Sequence, residues 1–267
     1  MITSRQNPLA QRARAARDGR ARDLIFVEGL RLSEEAERSR LNVEDVLFTE
    51  KILSGERGRS VLDRLRRAGA ATTQVSEGVL GSVADTKTPQ GVVLLARRPP
   101  ADQDSFERAL KKDPLLVVLH GVNNPANAGA MVRVAEAAGA AGVVTTAGTT
   151  DPFSPKALRS AMGSAFRLPL WAGATFADVI AWCEGRGITT VATDLDATRA
   201  HTDLVWGGAK AVICGAEASG LSEIEIGIVD ERVRIPMRAP VESLNVAAAL
   251  AVVLYEAARQ RGFADQI

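Results

Sequence analysis

Residues 115–140 read LLVVLHGVNNPANAGAMVRVAEAAGA and pass from an apolar run through a polar loop into a helical pattern of small residues. Five consecutive apolar residues predict a strand that is buried on both faces, as in a parallel sheet covered by helices. In the loop, Asn123, Asn124 and Asn127 supply short amide side chains that cap a helix or orient their neighbours, and Gly129 permits close backbone approach. A strand, a polar loop and a helix in this order are typical of ligand binding in open α/β sheets.

The same alternation of strands and helices extends in both directions from this stretch. Apolar and β-branched runs that predict strands lie at residues 24–27, 46–49, 72–76, 92–96, 142–146, 189–193, 211–214 and 233–236. Helical patterns lie between them at residues 30–38, 60–68, 130–138, 155–162, 176–186 and 244–261. The sequence therefore predicts an α/β protein with a mostly parallel sheet in its C-terminal part and a smaller α/β domain before it.

A proline-marked polar break separates the two parts. Pro99, Pro100, Asp102 and Asp104 lie close together there, and such breaks are typical of domain junctions. A length of 267 residues also suits two domains. We expect a first domain at residues 1–98, a linker at 99–113 and a second domain at 114–267.

Composition excludes several classes of protein. With 46% hydrophobic and 24% charged residues, the chain has the composition of an ordinary globular protein. Its apolar runs are far shorter than the roughly 20 residues that cross a bilayer, and residues 1–22 lack a secretory signal. Cys183 and Cys214 are too few for a disulfide framework, and His120 and His201 have no partners at metal-ligand spacing. We therefore expect a cytoplasmic protein with no membrane segment and no metal.

Positive charge is concentrated at the N-terminus, although the formal net charge is only +1. Among the first 23 residues, arginines outnumber the two acidic residues, Asp18 and Asp23. A basic arm of this kind suits a polyanionic partner, and a solvated helix face with scattered arginines is the alternative. The arginines are Arg5, Arg12, Arg14, Arg17, Arg20 and Arg22.

Arg133 is the unusual member of the helical pattern that follows the first loop. It lies among Ala, Val and Met residues, where a long cation is poorly placed unless its head reaches a cleft. A surface arginine on an amphipathic helix is the alternative. A dinucleotide site is excluded here, because no G-x-G-x-x-G follows Leu119 and no P-loop pattern occurs in the chain.

A second loop, CGAEASGLSEIE at residues 214–225, follows another predicted strand. Two glycines bracket Glu217, and Ser222 has capping-box spacing to Glu225. A glutamate between small residues at the end of a strand indicates a functional carboxylate, and an exposed loop glutamate is the alternative.

A third segment, IPMRAPVESLNVAAALAVVLYEAARQ at residues 235–260, leads from a strand into a long apolar helix. Ser243 and Asn245 stand at the start of this helix, where capping alone would explain them. The helix is too apolar to be left in water, so it is buried in its domain or against another subunit.

Together and in this order, the three segments resemble the motifs of the SpoU (TrmH) family of RNA 2′-O-methyltransferases in the SPOUT superfamily, over residues 115–260. The matching residues are Asn127, Gly129, Arg133, Gly215, Glu217, Gly220, Leu221, Ile235, Pro236, Met237, Ser243, Leu244 and Asn245. The first domain resembles an L7Ae/L30e-like RNA-binding domain through FVEGLRLSEEA, VLFTE and VADTKTPQGVV. Ala128, Ala218 and Ser219 depart from the family pattern.

The resemblance implies a C-terminal domain with a deep trefoil knot that binds S-adenosylmethionine, and a homodimer formed through that domain. The implied cofactor-binding residues are Thr193, Gly215, Ile235, Met237 and Leu244. The implied catalytic residue is Arg133, which orients or polarises the ribose hydroxyl or acts as its base. It is supported by Asn127, Glu217, Ser243 and Asn245.

The resemblance also implies a function, namely methylation of a ribose 2′-hydroxyl of RNA. We favour 23S ribosomal RNA over transfer RNA, because the first domain is similar to those of ribosomal members. The target nucleotide, and the choice between a housekeeping role and resistance to a ribosome-directed antibiotic, stay open. Two further alternatives are a non-catalytic RNA-binding dimer and a methyltransferase that acts on protein.

Overall fold

The computed structural model describes residues 1–217 and 220–262, so Ala218 and Ser219 lie outside the described residues. Within that part of the chain the helices are α1 (Pro8–Arg17), α2 (Leu30–Arg38), α3 (Glu50–Leu53), α4 (Glu56–Arg67), α5 (Glu77–Val83), α6 (Gln103–Ala109), α7 (Pro125–Ala137), α8 (Pro155–Ala161), α9 (Ser164–Arg167), α10 (Phe176–Gly185), α11 (Glu223–Gly227) and α12 (Val246–Gln260). The strands are β1 (Leu24–Glu28), β2 (Val43–Phe48), β3 (Ala71–Gln74), β4 (Val92–Arg97), β5 (Leu115–Leu119), β6 (Gly142–Thr146), β7 (Leu170–Ala174), β8 (Thr189–Thr193), β9 (Lys210–Cys214) and β10 (Glu231–Val233).

The chain forms two compact units. The first contains Met1–Pro99 and Phe153–Arg167, and the second contains Pro100–Pro152 and the described residues from Leu168 onward. The segment Phe153–Arg167 therefore groups with the first unit, although the sequence-based division assigned it to the second domain. In the first unit α8 packs against β1, and Arg159 donates to Asp85 at 2.6 Å. Chain order alone gives no sign of this packing.

The first unit is built on a mixed sheet with the strand order β1-β4-β2-β3. Strand β4 is antiparallel to both β1 and β2, whereas β2 and β3 are parallel. Phe26, Leu47 and Leu95 form part of its core, against which α1 packs its small buried residues. Asn7 starts α1 by accepting a hydrogen bond from the Leu9 N–H, with Pro8 in the first turn.

The second unit is built on a sheet of parallel strands with the order β10-β8-β9-β5-β6-β7. This confirms the predicted α/β class and its parallel sheet. Strand β9 lies between β5 and β8, and all three are mostly buried. The loops after these strands therefore leave the sheet at the same edge, which is where ligands bind in such sheets.

The predicted linker at 99–113 contains helix α6, which the sequence-based interpretation did not include. The Asp102 carboxylate caps the helix by accepting from the Ser105 N–H at 2.8 Å. Phe106 is only 1% exposed, and its ring lies 6.1 Å from that of Trp171. One buried aromatic residue anchors an otherwise polar segment, which is too weak a pattern to reveal a helix.

Strands β7 and β10 differ most from the sequence-based expectation. Strand β7 was not predicted, because Pro169 precedes it and Gly173, with a φ of 84°, interrupts its apolar pattern. Strand β10 ends at Val233 and does not continue to Pro236. The residues after it leave the sheet and line the cavity described below.

Both cysteines are buried, as expected of small apolar residues. Burial raises the pKa of each thiol to about 12. In the described residues, no helix has the length and apolarity that a bilayer crossing requires.

Candidate active site

A cavity of about 640 Å³ opens at the edge of the second unit's sheet. Segments that follow β8, β9 and β10 form its walls. It is lined by all five residues that the resemblance implied for cofactor binding, namely Thr193, Gly215, Ile235, Met237 and Leu244. It is also lined by four of the five residues implied in catalysis, namely Asn127, Glu217, Ser243 and Asn245. Residues separated by more than 100 positions in the chain therefore meet in one place.

Three of these side chains form a hydrogen-bonded row. The Asn127 amide donates to Glu217 Oε1 at 2.8 Å, and the Asn245 amide donates to Asn127 Oδ1 at 3.2 Å. Asn245 also caps α12 by accepting from the Ala247 N–H at 3.0 Å. The row links the three motif segments. Asn245 therefore does more than cap a helix, and Glu217 is not an isolated loop residue.

The wall made by residues 215–217 and 220–221 depends on close contact between two glycines. A Cβ atom on Gly215 would lie 2.4 Å from the carbonyl carbon of Gly220. Ala216 and Gly220 exchange backbone hydrogen bonds at 2.8 and 3.2 Å, and Gly220 has a φ of 62°. A side chain at position 215 would therefore not fit without a shift of the backbone, and the backbone of both glycines lies at the cavity.

Helix α11 begins directly after this wall with a complete capping box. The Ser222 side chain accepts from the Glu225 N–H, and the Glu225 carboxylate accepts from the Ser222 N–H at 2.8 Å. Burial alone would raise the pKa of Glu225, but hydrogen bonds from Ser222 and the nearby His120 outweigh it and leave that pKa lowered. Glu225 is therefore ionised at neutral pH.

The cavity carries more acidic residues than the sequence-based interpretation named. Besides Glu217, its lining includes Asp194, Asp196, Glu223 and Glu242, with Arg234 as a cation. Asp194 is partly balanced by Arg232, whose guanidinium lies 3.3 Å from its carboxylate. Excess negative charge favours a positively charged ligand. The run TDLDA, residues 193–197 at the carboxyl end of a predicted strand, was the signal that could have identified the two aspartates.

Arg133 does not line this cavity. It lies well inside α7, whose helix packs against α12, and its side chain is exposed. The structure thus places the guanidinium where a solvent-accessible anion can reach it. Its catalytic role stays a prediction.

The N-terminal arginines are largely engaged within the first unit. Arg12 pairs with Glu44 and Asp45, and its hydrogen bond to Glu44 raises its pKa. Arg14 donates to the Ser82 hydroxyl and to the Arg5 carbonyl. Arg17 and Arg20 both donate to the Asp18 carboxylate. Arg17 also donates to three backbone carbonyls, those of Ser82, Val83 and Ala84. Arg5 and Arg22 are exposed. The expected basic arm is therefore a docked helix with most of its arginines already paired.

A second group of cations surrounds a groove in the first unit. Arg31, Lys51 and Arg57 line a depression of about 490 Å³ together with Gln90. Arg57 pairs with Glu34, and Lys51 donates to the Pro89 carbonyl at 2.9 Å. Arg31 is exposed. Sequence reasoning missed this cluster because its members come from separate elements and form no run.

A search of the described ranges finds no group of three or more His, Cys, Asp or Glu side chains arranged to hold a metal ion.

Known proteins resemble this chain in sequence and in fold. Residues 114–255 match the model of the SpoU rRNA Methylase family, and residues 9–94 match that of the MRM3-like substrate binding domain. The chain is 33% identical to an uncharacterized tRNA/rRNA methyltransferase of Synechocystis, over 97% of this chain and 94% of that one. It is 34% identical to the 23S rRNA (guanosine-2′-O-)-methyltransferase RlmB of Vibrio cholerae, over 75% of this chain and 83% of that one.

A solved structure is similar along nearly the whole chain. The SpoU methyltransferase AviRb from Streptomyces viridochromogenes, in complex with AdoMet, superposes with a TM-score of 0.86 at 28% identity. The match covers 96% of this chain and 98% of that one. The fold of this chain therefore has a counterpart in a known methyltransferase over nearly its whole length. The chain belongs to the SpoU rRNA Methylase family and is an S-adenosylmethionine-dependent RNA 2′-O-methyltransferase.

Proposed function

We propose that this enzyme methylates a ribose 2′-hydroxyl of 23S ribosomal RNA. The observation that carries the proposal is the hydrogen-bonded row of Asn127, Glu217 and Asn245 at the cavity lined by the implied cofactor residues. The RlmB relatives, named for methylation of guanosine in 23S rRNA, support the choice of RNA.

The cavity fits the cofactor that the family uses. S-adenosylmethionine supplies an electrophilic methyl group on a positively charged sulfonium. The close turn at Gly215 and Gly220 offers backbone groups to a ligand, and the acidic lining favours a cation. We propose that Thr193, Gly215, Ile235, Met237 and Leu244 hold it.

The reaction needs an oriented 2′-oxygen more than it needs acid catalysis, because the departing thioether is neutral. We propose that Arg133 binds the adjacent RNA phosphate and orients and polarises the hydroxyl. The 2′-oxygen would form its bond to the methyl carbon as the carbon–sulfur bond breaks, and the hydroxyl proton would pass to solvent. An arginine is effectively always protonated, so this role suits it better than proton abstraction. Its exposure on α7 agrees with contact to RNA. Asn127, Glu217, Ser243 and Asn245 then hold the motif segments in register.

The first unit supplies the RNA-binding surface in this proposal. Its match to a substrate binding domain supports that role. Arg5 and Arg22, together with Arg31 at the groove of the first unit, present exposed cations to phosphate groups. Residues Arg12, Arg14, Arg17 and Arg20 contribute less than the sequence indicated, because intramolecular partners already occupy them.

Three further parts of the proposal follow from the family resemblance. We propose that the segment after β10 threads through the sheet to form the trefoil knot, that two copies associate through the second unit, and that the enzyme acts in the cytoplasm on ribosomal RNA.

The test is methyl transfer from labelled S-adenosylmethionine to purified 23S rRNA, with transfer RNA and ribosomal protein as alternative acceptors. We expect label in 23S rRNA, at a single ribose located by mapping of 2′-O-methyl groups in RNA from a strain that lacks the protein. Label in transfer RNA or in protein alone would overturn the proposal, and binding without label would indicate a non-catalytic RNA-binding protein. The sensitivity of the deletion strain to ribosome-directed antibiotics distinguishes the two roles: increased sensitivity would indicate a resistance enzyme, and unchanged sensitivity would indicate a housekeeping enzyme.

A further inference from the structure

One residue outside the family motifs holds both ends of the loop 215–222. The backbone N–H of His120 donates to the carbonyl of Cys214, directly before the loop, at 2.9 Å. Its imidazole Nε2 lies 2.9 Å from Glu225 Oε1, directly after the loop. The loop is therefore fixed to β5 at its start and at its end.

Glu225 transmits this contact to the wall of the cavity. Its second carboxylate oxygen accepts from both the N–H and the hydroxyl of Ser222 at 2.8 Å, which fixes the start of α11. Leu221 and Ile226, on either side of this contact, both line the cavity. A change in the position of the Glu225 carboxylate therefore moves cavity residues.

The imidazole is itself held in one orientation. Its Nδ1 lies 2.9 Å from Thr146 Oγ1, and its ring lies 4.6 Å from that of Phe176. With Nε2 donating to Glu225, Nδ1 accepts from the Thr146 hydroxyl, so both ring nitrogens have a partner. His120 is not itself among the residues that line the cavity.

We propose that His120 is a positioning residue that sets the affinity for S-adenosylmethionine, acting through Glu225 on Leu221 and on the start of α11. It touches neither the cofactor nor the reacting atoms. The proposal rests on the cofactor site assigned above and does not depend on which RNA is the substrate.

The first test is His120→Phe, which keeps an aromatic ring beside Phe176 and removes both side-chain hydrogen bonds. We expect the calorimetric Kd for S-adenosylmethionine to rise by about tenfold, as expected for the loss of about one charge-assisted hydrogen bond. The KM for the cofactor should rise equally while kcat changes by less than about twofold, because the reacting groups are untouched. His120→Gln should recover part of the affinity, since its amide can donate to Glu225.

His201→Phe is the matched control. It changes the chain's other histidine, whose Nδ1 is buried with no hydrogen-bond partner in the described part of the structure. The Kd of this variant for S-adenosylmethionine should stay within about twofold of the Kd of the unchanged protein. Equal losses in the two variants, or a fall in kcat at constant KM for His120→Phe, would overturn the proposal.

A double-mutant cycle tests the path through Glu225. If His120 acts through this carboxylate, His120→Phe combined with Glu225→Ala should bind no more weakly than Glu225→Ala alone. If the fold-increases in Kd of the two single variants instead multiply in the double variant, the two residues act independently, and His120 does not act through Glu225. These binding measurements need no RNA, so a wrong RNA substrate would appear only in the methyl-transfer assay and would leave this result intact.

Discussion

At the scale of single residues, the site depends on side chains that are small or absent as much as on those that are charged. Gly215 allows the backbone at Gly220 to approach more closely than any Cβ atom would permit. Asn127 serves two partners at once, because it donates to Glu217 and accepts from Asn245. Both features fix the cavity wall before any ligand arrives, and such preorganisation favours binding.

Gly215→Ala should therefore disrupt the cofactor site. Its Cβ would lie 2.4 Å from backbone atoms, so the loop must shift. We expect a cost of about 1–3 kcal/mol, seen as a roughly 5- to 150-fold rise in the calorimetric Kd for S-adenosylmethionine. Gly185→Ala, at the end of α10 with open space around its Cβ position, is the control and should leave binding unchanged. Unchanged affinity in Gly215→Ala would show that the loop does not form the site.

Arg133→Ala separates catalysis from cofactor binding. Because Arg133 lies outside the cavity lining, calorimetric binding of S-adenosylmethionine should stay near normal, while single-turnover methylation of 23S rRNA falls by about 100-fold or more. Arg133→Lys should not recover activity, since a lysine keeps the charge but lacks the planar fork that holds a phosphate and a hydroxyl together. Near-normal turnover of the alanine variant would contradict the catalytic assignment.

At the scale of elements, the sequence predicted what depends on local pattern and missed what depends on tertiary contact. Strands β5, β6 and β8 lie where their apolar runs indicated, because a strand buried on both faces leaves a continuous signal. Helix α6 depends on one buried phenylalanine, Phe106, and gave no such signal. The motif residues of the site were identified through the resemblance. The partners of Arg12, Glu44 and Asp45, were missed, because they lie 32 and 33 positions away in the chain and no local pattern indicates the contact.

Helix α1 makes this difference testable. Arg12→Ala removes the partner of Asp45 and one partner of Glu44, so we expect the free energy of unfolding to fall by about 0.5–1 kcal/mol after allowance for solvent screening. The melting temperature should fall by a few degrees at most. An unchanged melting temperature would show that this pair contributes nothing to the docking of α1.

Arg5→Ala with Arg22→Ala tests RNA binding without that loss of stability, because both side chains are exposed. Each lost phosphate contact should reduce the slope of log affinity against log salt concentration by roughly 0.7–0.9. Cofactor affinity, measured in parallel, should not change. An unchanged salt slope would mean that these arginines are merely solvated and that RNA binds elsewhere.

At the scale of the whole molecule, the second unit presents apolar surface that a single copy does not cover. Helix α12 packs one face against α7 and the sheet, yet Val252 and Tyr255 on this helix are 38% and 48% exposed. Apolar side chains grouped on one helix face are typical of a surface that another chain covers. Arg133, on the neighbouring α7, is exposed as well, so association at this face would also change the surroundings of the proposed catalytic residue.

We therefore expect a homodimer that forms through α12 and is stable at micromolar concentration in sedimentation experiments. Val252→Asp should weaken it by about 100-fold or more, because a carboxylate would be buried without a partner in the interface. Val205→Asp is the matched control, since Val205 is 75% exposed and lies outside α12, and it should leave the dimer intact. A monodisperse wild-type monomer would rule out the dimer. Equal dissociation by both substitutions would show that the effect is not specific to α12 and would contradict an interface there, because Val205 lies outside that helix.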